Sequence, residues 1–366
     1  MQHEARVTPT VEGYFRVPAI WVGDEPDSAS VALLNPAIHH ATAYQCEVCP
    51  GIKARVQRDG LFWFDFGVWP RAPMLHIPAH TVEAGGSIPQ AVHEAECKAE
   101  RLAVVRAQVM NAHQACLTTA EWLVERRSAG MGIPVNSWNT SKAWSDTRAP
   151  GYAEDVENPH SLARIVLNNS YLVPRAEPLP RRSVETPVIA KSFELLGALL
   201  THQEHSLLDM VDVLYISAHR RAENRPGESV VLAWAVCERL VSIAWRRLLE
   251  SKITHPAGAT RMNKERRKKL EGRDYTASVM VEMLEISGTI TTEVYGALER
   301  GCKARNAWAH NLESPDAADA YTCIEAAQML LREVLGVELK LQVSGRGSVP
   351  QIGLALFEKH KKRDTR

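Results

Sequence analysis

The spacing of apolar and polar positions changes period along the chain. Residues 1 to about 85 read as short strands and turns. "TAYQCEVCPG" and "IKARVQ" are extended runs, and "RDG" is a hairpin turn leading into "LFWFDFGVW". Prolines at 70, 73 and 78 and the pair Gly85-Gly86 then break the pattern. From Gln90 to Arg127 the period is helical. Ala95, Ala99, Leu102, Val105, Val109, Ala112, Cys116, Ala120 and Leu123 form one apolar stripe. Residues 130 to 187 are rich in Pro, Ser, Asn and Trp and lack a period, and "PRAEPLPRRSVETP" reads as a linker.

Beyond that linker the pattern predicts helices almost throughout. "VIAKSFELLGALLTHQEHSLLDMVDVLYISAHRRA" is one helical segment, with room for a break, and "NRPGES" punctuates it. A second helix is predicted from about Ser229 to Glu250, with Val230, Trp234, Cys237, Val241, Ala244 and Leu248 on one stripe. Two more follow near 276–288 and 291–312. The last, about 315–336, is expected to start with Ser314 as N-cap, Pro315 in the first turn and Asp316 on the positive dipole end. The fold class is therefore an α+β N-terminal domain over 1–130, an irregular segment and linker over 131–187, and an all-α domain over 188–340. A basic tail covers 341–366.

Charge narrows the function classes. Lys+Arg and Asp+Glu both number 43, which excludes a globally basic nucleic-acid binder and leaves phosphate contacts to local patches. No run of about eighteen apolar residues occurs, and "MQHEARVTPT" has no signal-peptide core, so a cytoplasmic protein without membrane partners is expected. Seven scattered cysteines fit reduced thiols.

The stretch "CKARNAWAHNLESPD" at 302–316 carries the candidate chemistry. On a helical wheel Val294, Leu298, Gly301, Arg305, Trp308 and Leu312 share a narrow sector, so Arg305 interrupts an apolar stripe. Asn306 and His310 are four apart on a flanking face, which a long arginine can reach. A guanidinium fork, an amide and an imidazole can together grip a phosphate and move a proton. The bland alternative is a snorkelling or paired Arg305 and a His310 favoured by the helix dipole.

This pattern, an arginine followed by a polar residue and a histidine on the penultimate helix of a helical unit, resembles the hallmark of the HEPN superfamily (higher eukaryotes and prokaryotes nucleotide-binding domains). The resemblance covers about residues 190 to 340. It implies a HEPN-like four-helix bundle and a metal-independent endoribonuclease that needs no cofactor, often a homodimer with two motifs facing one cleft. Arg305, Asn306 and His310 are then the catalytic set and RNA the partner. Many members serve phage defence or act as toxins; others are inactive and bind nucleotides or partners, which is the alternative here. The N-terminal domain takes no part in the resemblance, and sensing a ligand or a regulatory protein is the role left for it.

Three other groups are candidates. "ATRMNKERRKKLEGRD" reads as a basic loop, either solvated or an RNA-binding patch built from Lys264, Arg266, Arg267, Lys268 and Lys269. Cys46 and Cys49 form half of a zinc site, with His39 and His40 nearby, but no second ligand pair follows. On a regular strand these cysteines point to opposite faces. The pair is predicted to be metal-free. His202, His205, Asp209 and Asp212 lie along one side of the predicted helix, as an acid–base or metal row or as an ordinary polar face. Trp234 and Trp245 are expected in the core rather than as base-stacking platforms.

Overall fold

A computed structural model describes residues 11–16, 20–24, 39–67, 69, 90–126, 131–136, 141–143, 182–251, 263–270, 272 and 275–341. The chain divides into two compact units, Met1–Leu208 and Asp209–Arg366. The sequence suggested a division at 187/188. The boundary falls later because the segment after the expected linker packs into the first unit. The expected tail at 341–366 lies almost wholly outside the described residues, as does most of 131–187.

The first unit is built on an antiparallel sheet of strands β1 (Val11–Phe15), β3 (Thr42–Cys49), β4 (Ile52–Gln57), β5 (Leu61–Asp65) and β6 (Ser141–Ala143), in the order β3-β4-β5-β1-β6. The expected "RDG" turn joins β4 to β5, with Gly60 at φ +87, where a side chain would strain the backbone and strike Ile20. β2 (Ile20–Val22) pairs in parallel with β7 (Arg182–Val184). β7 lies in the stretch read as a linker, so that stretch is tied into the unit. Two helices, α1 (Gln90–Glu125) and α2 (Thr186–Leu200), pack on one another, and α2 also packs on β3.

Of the stripe predicted for α1, Val109, Ala112, Cys116 and Ala120 are buried, Leu102, Val105 and Leu123 are half-buried and Ala99 is exposed. Every residue from Val109 to Glu121 is buried, polar ones included. Polar residues on alternate positions of β1 and at the residue after it meet polar residues on one side of α1. Glu12 pairs with Arg106 at 2.7 Å, the Tyr14 hydroxyl lies 2.7 Å from His113 Nδ1, and Arg16 pairs with Glu121 at 3.2 Å. Arg182 from β7 joins this row through Glu121 and Glu125. His113 also approaches Ser192 Oγ at 3.0 Å and stacks on Phe193 of α2, ring centroids 4.3 Å apart. That contact is why α2 belongs to the first unit.

Burial, and then the Arg16 guanidinium, push His113 down from 6.5 to about 3. The fold therefore favours the neutral ring. Its contribution is complete above the unfolded value of about 6.5 and is lost as pH falls toward the folded value. Between pH 6.5 and 5, wild-type stability should fall by up to about 1.4 kcal/mol per pH unit more than that of His113→Gln. Denaturant melts at the two pH values check this, and parallel slopes would disprove it.

Among its described residues the second unit is all-α. It holds α3 (Leu207–Ala222, less its first two residues), α4 (Pro226–Ser251), α5 (Lys264–Leu270), α6 (Ala277–Ile286), α7 (Thr292–Asn311) and α8 (Ala317–Leu330), which runs on into a π turn over Leu331–Leu335. Pro226 opens α4, as the N-terminal preference of proline predicts. The core lies among α4, α7 and α8, with α6 against α4 and α7. Gly301 makes the closest approach possible: a Cβ there would sit 2.8 Å from Cys323 Sγ and 3.5 Å from the Trp234 ring. The N-cap of α8 is Asp316, not Ser314. Its carboxylate accepts from the backbones of Ala318 and Asp319, and Asp319 returns a bond to the Asp316 N–H. Aspartate wins because three bonds at the dipole's positive end, two accepted by Asp316 and one by Asp319, satisfy more orphan groups than one serine could. Among the described residues no helix is long and apolar enough to cross a membrane.

Candidate functional site

α7 is set by its own sequence. Thr291 caps its N-terminus by accepting from the Val294 N–H, and Val294, Ala297, Leu298, Gly301 and Ala304 are buried. Near the C-terminus the helix leaves the core. Trp308 is half-buried and rests its indole on the backbone of Gly227, in the first turn of α4. The same end of the unit receives the C-terminus of α3 and the N-terminus of α8, because Arg221 donates to the Ala317 carbonyl at 2.9 Å and lies over the Tyr321 ring.

Arg305 is half-buried at the edge of this packing, and Asn306 and His310 are exposed. Arg305 Nη1 donates to Asn306 Oδ1 at 2.9 Å, so the guanidinium does reach round the helix to the amide. The Asn306 amide nitrogen in turn approaches Cys302 Sγ at 3.6 Å. His310 follows one turn later on the Asn306 face, in the last turn of α7. The three polar groups thus form one exposed strip with the cation at its edge. That strip can bind an anion and place an imidazole beside it.

Leu312 does not continue the buried stripe. It follows the last residue of α7, its φ is 56°, and 75 % of its surface is exposed. The wheel fails there because the helix ends at Asn311 and the backbone turns left-handed.

The basic run is a short helix, α5, and not the expected loop. Asn263 opens it by accepting from the Arg266 N–H at 2.8 Å. Lys264, Arg266, Lys268 and Lys269 are exposed, while Arg267 is half-buried and reaches Glu250 at 3.4 Å. α5 is tied to the far half of α4, where Trp245 Nε1 donates to the Leu270 carbonyl at 3.0 Å. Trp308 sits on Gly227, and at about 1.5 Å rise per residue Gly227 and Trp245 are about 27 Å apart along α4. Within one chain the basic helix and the motif are therefore far apart.

The remaining candidates do not assemble. A bulge between Glu47 and Cys49 leaves Cys46 opposite Ala54 and Cys49 opposite Ile52, two positions on the same face of β4, so the cysteines do not take opposite faces as a regular strand would require. Burial raises both thiols above their ordinary range. Among the described residues no three of His, Cys, Asp and Glu converge as metal ligands. His202 and His205 lie in the turn between α2 and α3, off any helix, so the predicted row with Asp209 and Asp212 does not form. His202 instead accepts from the Glu204 N–H. Trp234 and Trp245 are both buried, with Trp245 stacked on Tyr275.

Sequence reasoning missed the buried Glu12–Arg106, Tyr14–His113 and Arg16–Glu121 contacts. Their signal, polar residues two apart on a strand that is otherwise apolar, was present at 12, 14 and 16. Comparison of the chain with protein-family models, curated proteins and solved structures finds no match.

Proposed function

We propose that the helical unit is a HEPN-like four-helix bundle and a metal-independent endoribonuclease, of the kind found in defence and toxin effectors. The observation that carries the reading is the bond from Arg305 to Asn306 on the exposed strip that His310 extends. In the reaction the ribose 2′-OH attacks the adjacent phosphorus and the bond to the 5′-oxygen breaks. One proton leaves the 2′-OH and one reaches the departing oxygen, leaving a 2′,3′-cyclic phosphate and a 5′-OH. His310 is the group suited to move a proton. Arg305 offers charge-assisted bonds to the phosphorane, and Asn306 orients the guanidinium. A homodimer belongs to this reading, since Asn306 and His310 lie on the convex surface of one helix and a second copy would supply the opposite wall of a cleft. RNA cleavage by the purified protein in excess EDTA, with His310→Ala beside it, tests the proposal.

A non-catalytic nucleotide- or partner-binding module is the second reading, favoured by the separation of α5 from the motif. The two differ over α5. If the basic helix tracks the RNA backbone, replacing Arg266, Arg267, Lys268 and Lys269 with Ser should weaken RNA binding and flatten its salt dependence, each lost phosphate contact lowering the logarithmic slope by about 0.7. Unchanged binding at moderate salt would make α5 a solvated surface.

A further inference from the structure

Leu312 combines three features at the end of α7. Its backbone lies at φ 56°, where glycine is the usual residue. Its side chain is 75 % exposed. It stands two residues after His310. The turn is well defined, because the Leu312 N–H bonds the Trp308 carbonyl at 3.0 Å and the Glu313 N–H bonds the Ala307 carbonyl at 3.3 Å. A leucine is thus held out into solvent, next to the candidate site, by a conformation that disfavours it. Such an outlier points toward function.

We propose that Leu312 is the contact for an unstacked nucleobase of the RNA beside the scissile phosphate, an inference that rests on the ribonuclease reading. The flanking side chains are polar and engaged with each other, Asn311 donating to Glu313 at 3.2 Å. Along the chain the apolar projection is therefore a single side chain, between polar neighbours. A protein interface commonly needs about 800 Å² from each partner, whereas one leucine matches the face of one base. Single-stranded RNA splays out bases whose faces an apolar side chain can cover. The contact would fix the nucleotide while the strip from Arg305 to His310 meets its phosphate.

The two roles of Leu312 predict opposite signs for one substitution. Leu312→Gly relieves the left-handed strain and should raise the melting temperature by about 2–4 °C. The same variant should bind a short labelled single-stranded RNA about tenfold more weakly, the loss that follows when a partly buried leucine side chain is removed, and lose cleavage at subsaturating RNA in proportion, while Leu312→Met keeps both. A glycine variant that melts higher yet binds RNA as wild type does would overturn the inference and leave the ribonuclease reading standing. Wild-type protein that binds RNA without cutting it would sink the ribonuclease reading, and the affinity of Leu312→Gly would still decide the base contact. Wild-type protein with no measurable RNA affinity would overturn both.

Discussion

His310→Ala is expected to slow RNA cleavage by about 100- to 10,000-fold, the usual effect of removing a general acid or base, and to leave the fold nearly intact. His310 is exposed in the last turn of α7 and packs into no core, so its structural contribution is at most about 1 kcal/mol through the helix dipole. Arg305→Ala should be comparably slow. It carries more structural risk, because Arg305 is half-buried and holds Asn306. Arg305→Lys separates charge from shape, since an ammonium keeps the cation but loses the planar fork that meets both the amide and a phosphate. The measurements are single-turnover cleavage in excess EDTA and analysis of the product ends, with circular dichroism to confirm folding. Cyclic phosphate ends identify the 2′-OH as nucleophile. A folded His310→Ala protein that cuts at the wild-type rate would make the motif structural.

Periodicity was enough for the parts of this chain that follow one rule at a time. β3, β4 and β5 were legible from extended runs and a glycine turn, α4 and α7 from stripes of apolar residues, and α6 as a helix near 276–288. What stayed hidden depends on residues distant in sequence or on backbone events at element ends. α2 reads like the helices after it, yet Phe193 joins the aromatic group around His113, which comes from α1. Counting from Cys46 to Cys49 gives opposite faces, but the bulge shifts the count by one. Leu312 fits the stripe on a wheel that has no way to mark where the helix stops. The link between Arg305 and Asn306 was legible because the two are adjacent. The distance between that pair and α5 was not, because the sequence pattern alone does not say where on α4 a short basic helix will anchor.

The contacts between β1 and α1 are the feature least visible in the sequence, and their removal should have the largest effect on stability. Arg106→Ala is expected to destabilise the first unit by about 3–5 kcal/mol, because it leaves the Glu12 carboxylate buried without its ion partner. Lost contact with the Phe66 ring, whose centroid is 5.2 Å from the guanidinium, acts in the same direction. Such a loss is a large share of a typical total stability of about 5–15 kcal/mol. Lys98→Ala, on the exposed start of the described side chains of α1, should stay within about 0.5 kcal/mol of wild type. The more telling variant replaces both partners, Glu12→Leu with Arg106→Met, which removes the stranded charge and fills the space with apolar groups. Ion pairs between buried groups cost desolvation that well-packed apolar groups avoid, so the double variant should recover most of the loss. The same substitution tests what the polar row is for. β1 steps two residues for each rung while α1 steps seven or eight, so Glu12–Arg106, Tyr14–His113 and Arg16–Glu121 can all meet only in one register of helix on sheet. If the row fixes that register, the double variant should regain its melting temperature yet show broadened amide signals along α1, from a helix free to sample neighbouring positions. Equal stability of Arg106→Ala and wild type would show that the pair contributes nothing, and a double variant as sharp in its spectrum as wild type would show that apolar packing alone sets the register.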